Sequence, residues 1–375
     1  MELHLTSEQN LLRDSAEKFA AAAGAKVARA SRGRGFAPAR LREAGELGWL
    51  GMLVPTSADG AGLGLTELAL VLEQTGRALV TEPIGLAAIA AAALAQGHAP
   101  HPMLPRATRG EALVVPALQE SAHADPSTLH TRADGDARAP RLTGKKISVC
   151  ADGADGFLVS AASRDGAALY YVARDATGAT LATTPSVDGR GLATLTLDAA
   201  PADLVPARQS SRGAVAALTD LALIALSAEL LGVMEGAQEM TFAYLRLRKQ
   251  FGKPIGSFQA LQHKAVDIYI RTETTRSLIY QVAAANDPYR IDPALAAAVK
   301  AKASENALAV TQACIQLHGA IGFTDEHDIG LYLKRAMLLS SLLGNAAAQR
   351  RRYAEITELN DPLPEGEREK NQENP

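Results

Sequence analysis

The chain has 375 residues, 47 % hydrophobic and 21 % charged, the usage of a globular protein and not of a disordered chain, a collagen-like repeat or a disulfide scaffold. Aromatic residues are only 4 %, so the core must be built from Ala, Leu, Val and Ile. Lys and Arg number 38 against 41 Asp and Glu, a net charge of −3, with no basic excess to recommend nucleic acid as a partner. At roughly 100–200 residues per domain, the length predicts two or three domains. Two distant cysteines, Cys150 and Cys314, fit a reducing compartment. The opening MELHLTSEQN lacks the basic and apolar regions of a signal peptide. The apolar run Gly85–Ala95 is too short for the ~20 residues of a membrane span. The richer run 214–231 is interrupted by Asp220 and Glu229. A soluble, cytoplasmic protein is expected, with no membrane partner.

Residues 1–110 read as a helical domain. Thr6 and Gln9 fit a capping box ahead of Leu11, Leu12 and Phe19. Pro38 opens a second helix carrying Leu41, Leu47 and Leu50. Gly60, Gly62 and Gly64 mark a loop, and further helices are expected over 66–79 and 84–95. From 111 to 210 the pattern changes to short apolar runs, 113–115, 147–150, 156–159, 169–172 and 192–197, separated by Gly, Asp, Pro and Ser. This spacing predicts a small antiparallel β-domain. Helical periodicity returns over 211–357, with breaks near Pro254, Pro288 and Gly319–Gly322, long enough for a four-helix bundle. Residues 358–375 lack periodic apolar positions and read as a disordered tail. The fold class is α+β in three parts: helical, β, helical.

Two motifs carry chemistry. In the first, RLRKQFGKPIGSFQALQHK over 246–264, Arg246, Arg248 and Lys249 close a helix, where cations suit the dipole and can clamp a phosphate. By themselves they also fit a solvated basic face. The Phe-Gly-Lys-Pro-Ile-Gly turn that follows sets an aromatic and close-approach glycines beside them, as a dinucleotide site needs. In the second, QLHGAIGFTDE over 316–326, Gly319 and Gly322 permit a helix break, and Gln316 can bond an adenine or ribose. An ordinary interhelical turn would read the same way. Trp49 reads as a core or interface aromatic. His263 and His318 lack neighbours at metal-ligand spacing, so no metal is expected. Asp325, Glu326 and Asp328 read as a solvated cap.

Together with LGWLGMLVP at 47–55 and GAGLGL at 60–65, these motifs resemble the acyl-CoA dehydrogenase family of flavoproteins over residues 1–357. The resemblance implies that Arg248, Gln250, Phe251, Phe258 and Gln259, with Gln316 and Gly319, hold the pyrophosphate and adenosine of a neighbouring subunit's FAD. Desaturating an acyl-CoA needs removal of the α-proton by a positioned base and transfer of the β-hydride to the flavin. The family's base position is Leu343 here. The alternative position falls at Ala222 and Leu223, with Asp220 two residues away. The family's flavin-flanking Trp-x-Thr strand is Ser148-Val149-Cys150, after a Gly144-Lys145-Lys146 turn. Its Thr-Glu-Pro strand has no clear match near Leu118–Ser121, and its Thr-x-Gln is Asn345-Ala346-Ala347.

By this resemblance, the residues lent to a neighbour are largely kept, and those for the chain's own flavin ring, with both candidate bases, are largely missing. This division implies the diverged subunit of a heteromeric enzyme. It would share FAD with a second dehydrogenase subunit, act on acyl-CoA and pass electrons to an electron-transfer flavoprotein or a similar acceptor. A complete homo-oligomer with Asp220 or Glu229 as a relocated base, or a scaffold without flavin, are the alternatives.

Overall fold

The computed structural model describes residues 4–31, 35–97, 99–121, 129–136, 139–206 and 213–358. The expected tail lies outside them except for Glu358. A helical layer comes first: α1 (Ser7–Ala21), α2 (Ala25–Ala30), α3 (Pro38–Glu46), α4 (Leu65–Arg77), α5 (Ile84–Leu94) and α6 (Leu104–Thr108). The Thr6 hydroxyl accepts from the Gln9 amide at 3.2 Å, and the Gln9 side chain accepts from the Thr6 amide at 3.0 Å, a reciprocal cap. Pro38 stands in the first turn of α3, where its missing N–H leaves no bond unmade. The helices α2 and α6 are too short to show a period in the sequence. Trp49 is buried and meets Phe19 edge-on at 5.0 Å.

The strands are β1 (Val114–Ala117), β2 (Arg132–Asp134), β3 (Arg141–Cys150), β4 (Gly156–Ser163), β5 (Gly166–Ala173), β6 (Ala179–Pro185), β7 (Gly191–Pro201) and β8 (Asp203–Val205). They form one sheet in the order β6–β7–β3–β2–β4–β5–β8, with β1 also on β4. The expectation of an antiparallel sheet needs correction, because β1 and β2 run parallel to β4. Both reach β4 through intervening chain and not through a hairpin, and a parallel pair requires such a crossover. The pairs β4–β5, β3–β7 and β6–β7 are antiparallel. Strand β6 is largely exposed and lacks the apolar alternation that would reveal it.

The last part holds α7 (Ala214–Leu247), the two-stranded hairpin β9 (Lys249–Gln250) and β10 (Lys253–Pro254), α8 (Gln259–Ala285), α9 (Pro293–His318), α10 (Ile329–Ser341) and α11 (Ala346–Ile356). Helix α9 is central, touching α7, α8, α10 and α11. Helix α7 is long and apolar enough to cross a bilayer, yet most of it is buried within the fold. It crosses α4 at two glycines. A Cβ on Gly232 would stand 2.0 Å from the Glu73 carbonyl oxygen, and one on Gly76 would stand 2.3 Å from that of Glu229. Only a hydrogen fits at either point.

Candidate functional site

The first motif leaves the bundle as an exposed arm. Helix α7 ends at Leu247, two residues before the Lys249 that the basic run suggested, and Arg248 is its extended C-cap. Gln250 pairs with Lys253 across the hairpin, so Phe251 and Gly252 form a two-residue turn. Both have positive φ, 52° and 79°, which only such a turn favours. Phe251 is 91 % exposed and Leu247 79 %. Phe251 meets Phe258 edge-on at 6.1 Å, and the Lys253 ammonium lies 4.5 Å from the Phe258 ring centre. Arg248, Gln250 and Gln259 are exposed.

The second motif lies at the same end of the bundle. Tyr244, one turn before Arg248, stacks on His318 at 4.5 Å. His318 packs in turn against His327 at 4.6 Å, and burial lowers its pKa. Gln316 and Gly319 are exposed, and Phe323 is 80 % exposed. The acidic turn is not simply solvated, because Asp328 accepts from Arg29 of α2 at 2.7 Å. Among the described residues no cluster could hold a metal ion.

Three further segments converge elsewhere: Leu118–Ser121 after β1, the end of β3, and the turn Leu342–Asn345 between α10 and α11. The Ile147 amide donates to the Gln119 carbonyl at 2.8 Å. The Leu343 amide donates to Gln119 Oε1 at 3.2 Å. Lys146 is fully buried and pairs with Glu120 at 2.5 Å. Burial lowers the Lys146 pKa, and Glu120 opposes it. This ion pair sets the register that the sequence did not reveal: the expected Gly144-Lys145-Lys146 turn lies within strand β3, Glu120 faces Lys146, and Gln119 precedes it. Ser148 sits at a bulge between β3 and β7 with φ of 56°, an irregularity that re-aims neighbouring side chains.

A charged group joins all three parts of the fold. The Asp188 carboxylate accepts from Arg190 Nε and Arg335 Nε, each at 2.9 Å. Arg335 also donates to Glu229 Oε1 and to the Val80 carbonyl, each at 3.0 Å. Burial alone would raise the Asp188 pKa, but Arg190 and Arg335 outweigh it and hold the carboxyl well below the usual range. An adjoining cleft is lined by Phe36, Pro83, Cys150, Asp152, Arg190 and Arg335. It encloses about 30 Å³, room for about one or two waters. Cys150 is half-buried at the cleft wall. Burial pushes its pKa up to about 11, which keeps it a thiol.

Neither position that the resemblance assigns to the base carries a carboxylate. Ala222 is fully buried in α7, and Leu343 packs on the core. Asp220 is ion-paired with Arg352 of α11.

Residues 6–99 match the acyl-CoA dehydrogenase N-terminal domain, and residues 213–357 match the C-terminal domain. The chain belongs to the acyl-CoA dehydrogenase family. It is 30 % identical over 353 residues to acyl-CoA dehydrogenase IpdE2 of Mycolicibacterium smegmatis, covering 93 % of this chain and 98 % of that one. Acyl-CoA dehydrogenase FadE27 of Mycobacterium tuberculosis is 31 % identical over 82 % of this chain and 84 % of its own. Among solved structures, a variant of the steroid ACAD Tcur3481–Tcur3483 superposes with a TM-score of 0.87 at 34 % identity, over 94 % of this chain and 98 % of that one. The ChsE4–ChsE5 complex from Mycobacterium tuberculosis superposes with a TM-score of 0.86 at 27 % identity, over 97 % and 100 %. Acyl-CoA dehydrogenases are oxidoreductases acting on CH–CH bonds, and FAD is their cofactor.

Proposed function

We propose that this acyl-CoA dehydrogenase chain is the diverged subunit of a heteromeric enzyme, completing a partner's FAD site without abstracting a proton at its own. The observation that carries this reading is the opposite condition of two halves of the site. The arm is presented outward, with Arg248 and Lys253 to meet a pyrophosphate and Phe251 and Phe258 to meet an adenosine. Gln250, Gln259 and Gln316 stand ready to hydrogen-bond, and Gly319 lets the ligand approach the backbone. These residues fit the dinucleotide end of FAD. The ring position does not fit a flavin, because Gln119 reaches from the β-domain to Leu343 where the ring would lie.

Bound FAD supplies the hydride acceptor for desaturation. This chain's residues only bind and orient it, and the base comes from the partner. The substrate class is an acyl-CoA thioester, and the electron acceptor is of the electron-transfer flavoprotein kind. The two-component steroid ACAD and the ChsE4–ChsE5 complex support a paired assembly and a steroid side chain as the acyl group. A cytoplasmic site of action follows from the same reading.

A relocated base is disfavoured by the ion pairs. Asp220 holds Arg352, and Glu229 holds Arg335, so either carboxylate would have to leave its partner to accept a proton. The exposed arm argues against a scaffold without flavin.

The test is the visible absorbance of the purified chain, alone and co-expressed with candidate partner dehydrogenases. A colourless chain that joins a yellow complex holding one FAD per pair of chains is expected. A yellow homo-oligomer with one FAD per chain would overturn the proposal.

A further inference from the structure

We infer that Gln119 and Lys300 latch the turn Leu342–Asn345 and so keep flavin out of this chain's own ring position. The inference rests on the reading above and names the residues that shut the site.

The turn is not one that leucine adopts by itself. Leu343 has φ of 54° and Gly344 φ of 95°, and a leucine in left-handed backbone is disfavoured. It is held from three directions. From the core, the fully buried Lys300 of α9 donates to Ser304 Oγ at 3.0 Å, to the Ser340 carbonyl at 3.2 Å and to the Gly344 carbonyl at 3.4 Å. When Lys300 is protonated, these bonds use all three of its N–H groups. From α11, Gln349 Nε2 donates to the Leu343 carbonyl at 2.6 Å. From the β-domain, Gln119 Oε1 accepts from the Leu343 amide at 3.2 Å, while Gln119 Nε2 donates to the Ser121 carbonyl at 2.9 Å.

With both ends of its amide engaged, the Gln119 side chain spans the gap between the sheet and the bundle. A flavin ring entering there would have to displace it and supply a new acceptor for the Leu343 N–H. Lys300 prevents the alternative, in which the turn itself withdraws, because the turn cannot move without stripping the Gly344 carbonyl from the buried Lys300 nitrogen.

Riboflavin is the probe, since it carries the ring without the adenosine that the arm would hold. In the purified chain, Gln119→Ala and Gln119→Ser are each expected to bind riboflavin at least about tenfold more tightly than the wild type, read by fluorescence quenching. The Leu343 amide should exchange with deuterium about tenfold faster once its acceptor is gone. In Lys300→Met the same amide should also exchange faster, although Gln119 is intact. Wild-type riboflavin binding equal to that of the Gln119 variants, or unchanged exchange at Leu343, would overturn the latch. If the complex still holds one FAD per pair of chains, that failure removes the latch alone. A chain that is yellow by itself removes the subunit reading as well.

Discussion

Burial pulls the Lys300 ammonium down to about 7, because its partners are neutral oxygens and no carboxylate offsets the lost hydration. An unfolded lysine titrates near 10.4. Between these values the unfolded chain binds more protons than the folded one, so this residue makes stability rise with pH across that window and fall as pH drops towards 7. Lys300→Met removes the term. The wild type should therefore gain on the variant between pH 7 and 10, by at most about 1.4 kcal/mol per pH unit. Urea unfolding of both proteins at pH 7, 8 and 9 measures the difference. Lys300 could not be picked out beforehand, since a lysine in an Ala-rich helix reads as solvated until the packing of α10 and α11 encloses it. Gln119 was hidden for a related reason. Its segment is too short to align by pattern, and only the Glu120–Lys146 pair shows what it faces. That Leu343 and Ala222, the positions the family resemblance assigns to a base, carry no carboxylate was legible because each lies at a countable distance from a motif.

Among the elements, the β9–β10 hairpin shows a local preference overruled. A two-residue turn with positive φ at both positions favours Asn-Gly, yet this one is Phe-Gly with the aromatic ring almost fully in water. Phe251→Asn should leave the isolated chain as stable or up to about 1 kcal/mol more stable. In the assembled enzyme the same change should speed FAD release about tenfold, the loss of roughly one stacking contact. Thermal melting and flavin fluorescence read the two effects separately, and their opposite signs are the prediction. The longer helices followed from period and caps, and β3, β4, β5 and β7 from apolar runs bounded by turn residues. The parallel placement of β1 and β2 did not, because pairing direction is set by what the intervening chain does and not by the strand's own residues. Strand β6, exposed at an edge, leaves no alternation to read.

Across the whole molecule, Arg335 is the joint. Its guanidinium meets Asp188 of the β-domain, Glu229 of α7 and the Val80 carbonyl of the helical layer. Arg335→Met would leave the buried Asp188 carboxylate and the partly exposed Glu229 carboxylate to Arg190 alone and should cost about 3 kcal/mol, as removing one partner of a buried pair does. Urea unfolding at pH 7 gives the figure. Because the Asp188 carboxyl is held far below its usual pKa, the joint should also survive mild acid. The wild-type and Arg335→Met curves would therefore stay apart down to about pH 4.

Leu247, Phe251 and Phe323 stand largely in water on the two motifs at one end of the bundle. For a cell this is a question of supply. If the chain works as the proposed subunit, a copy made in excess of its partner would display three large apolar side chains, the kind of surface that chaperones retain and proteases sample. The surplus would then be cleared or aggregate, so under that proposal the usable amount of this polypeptide would be set by the synthesis of the other, and the two would need balanced production.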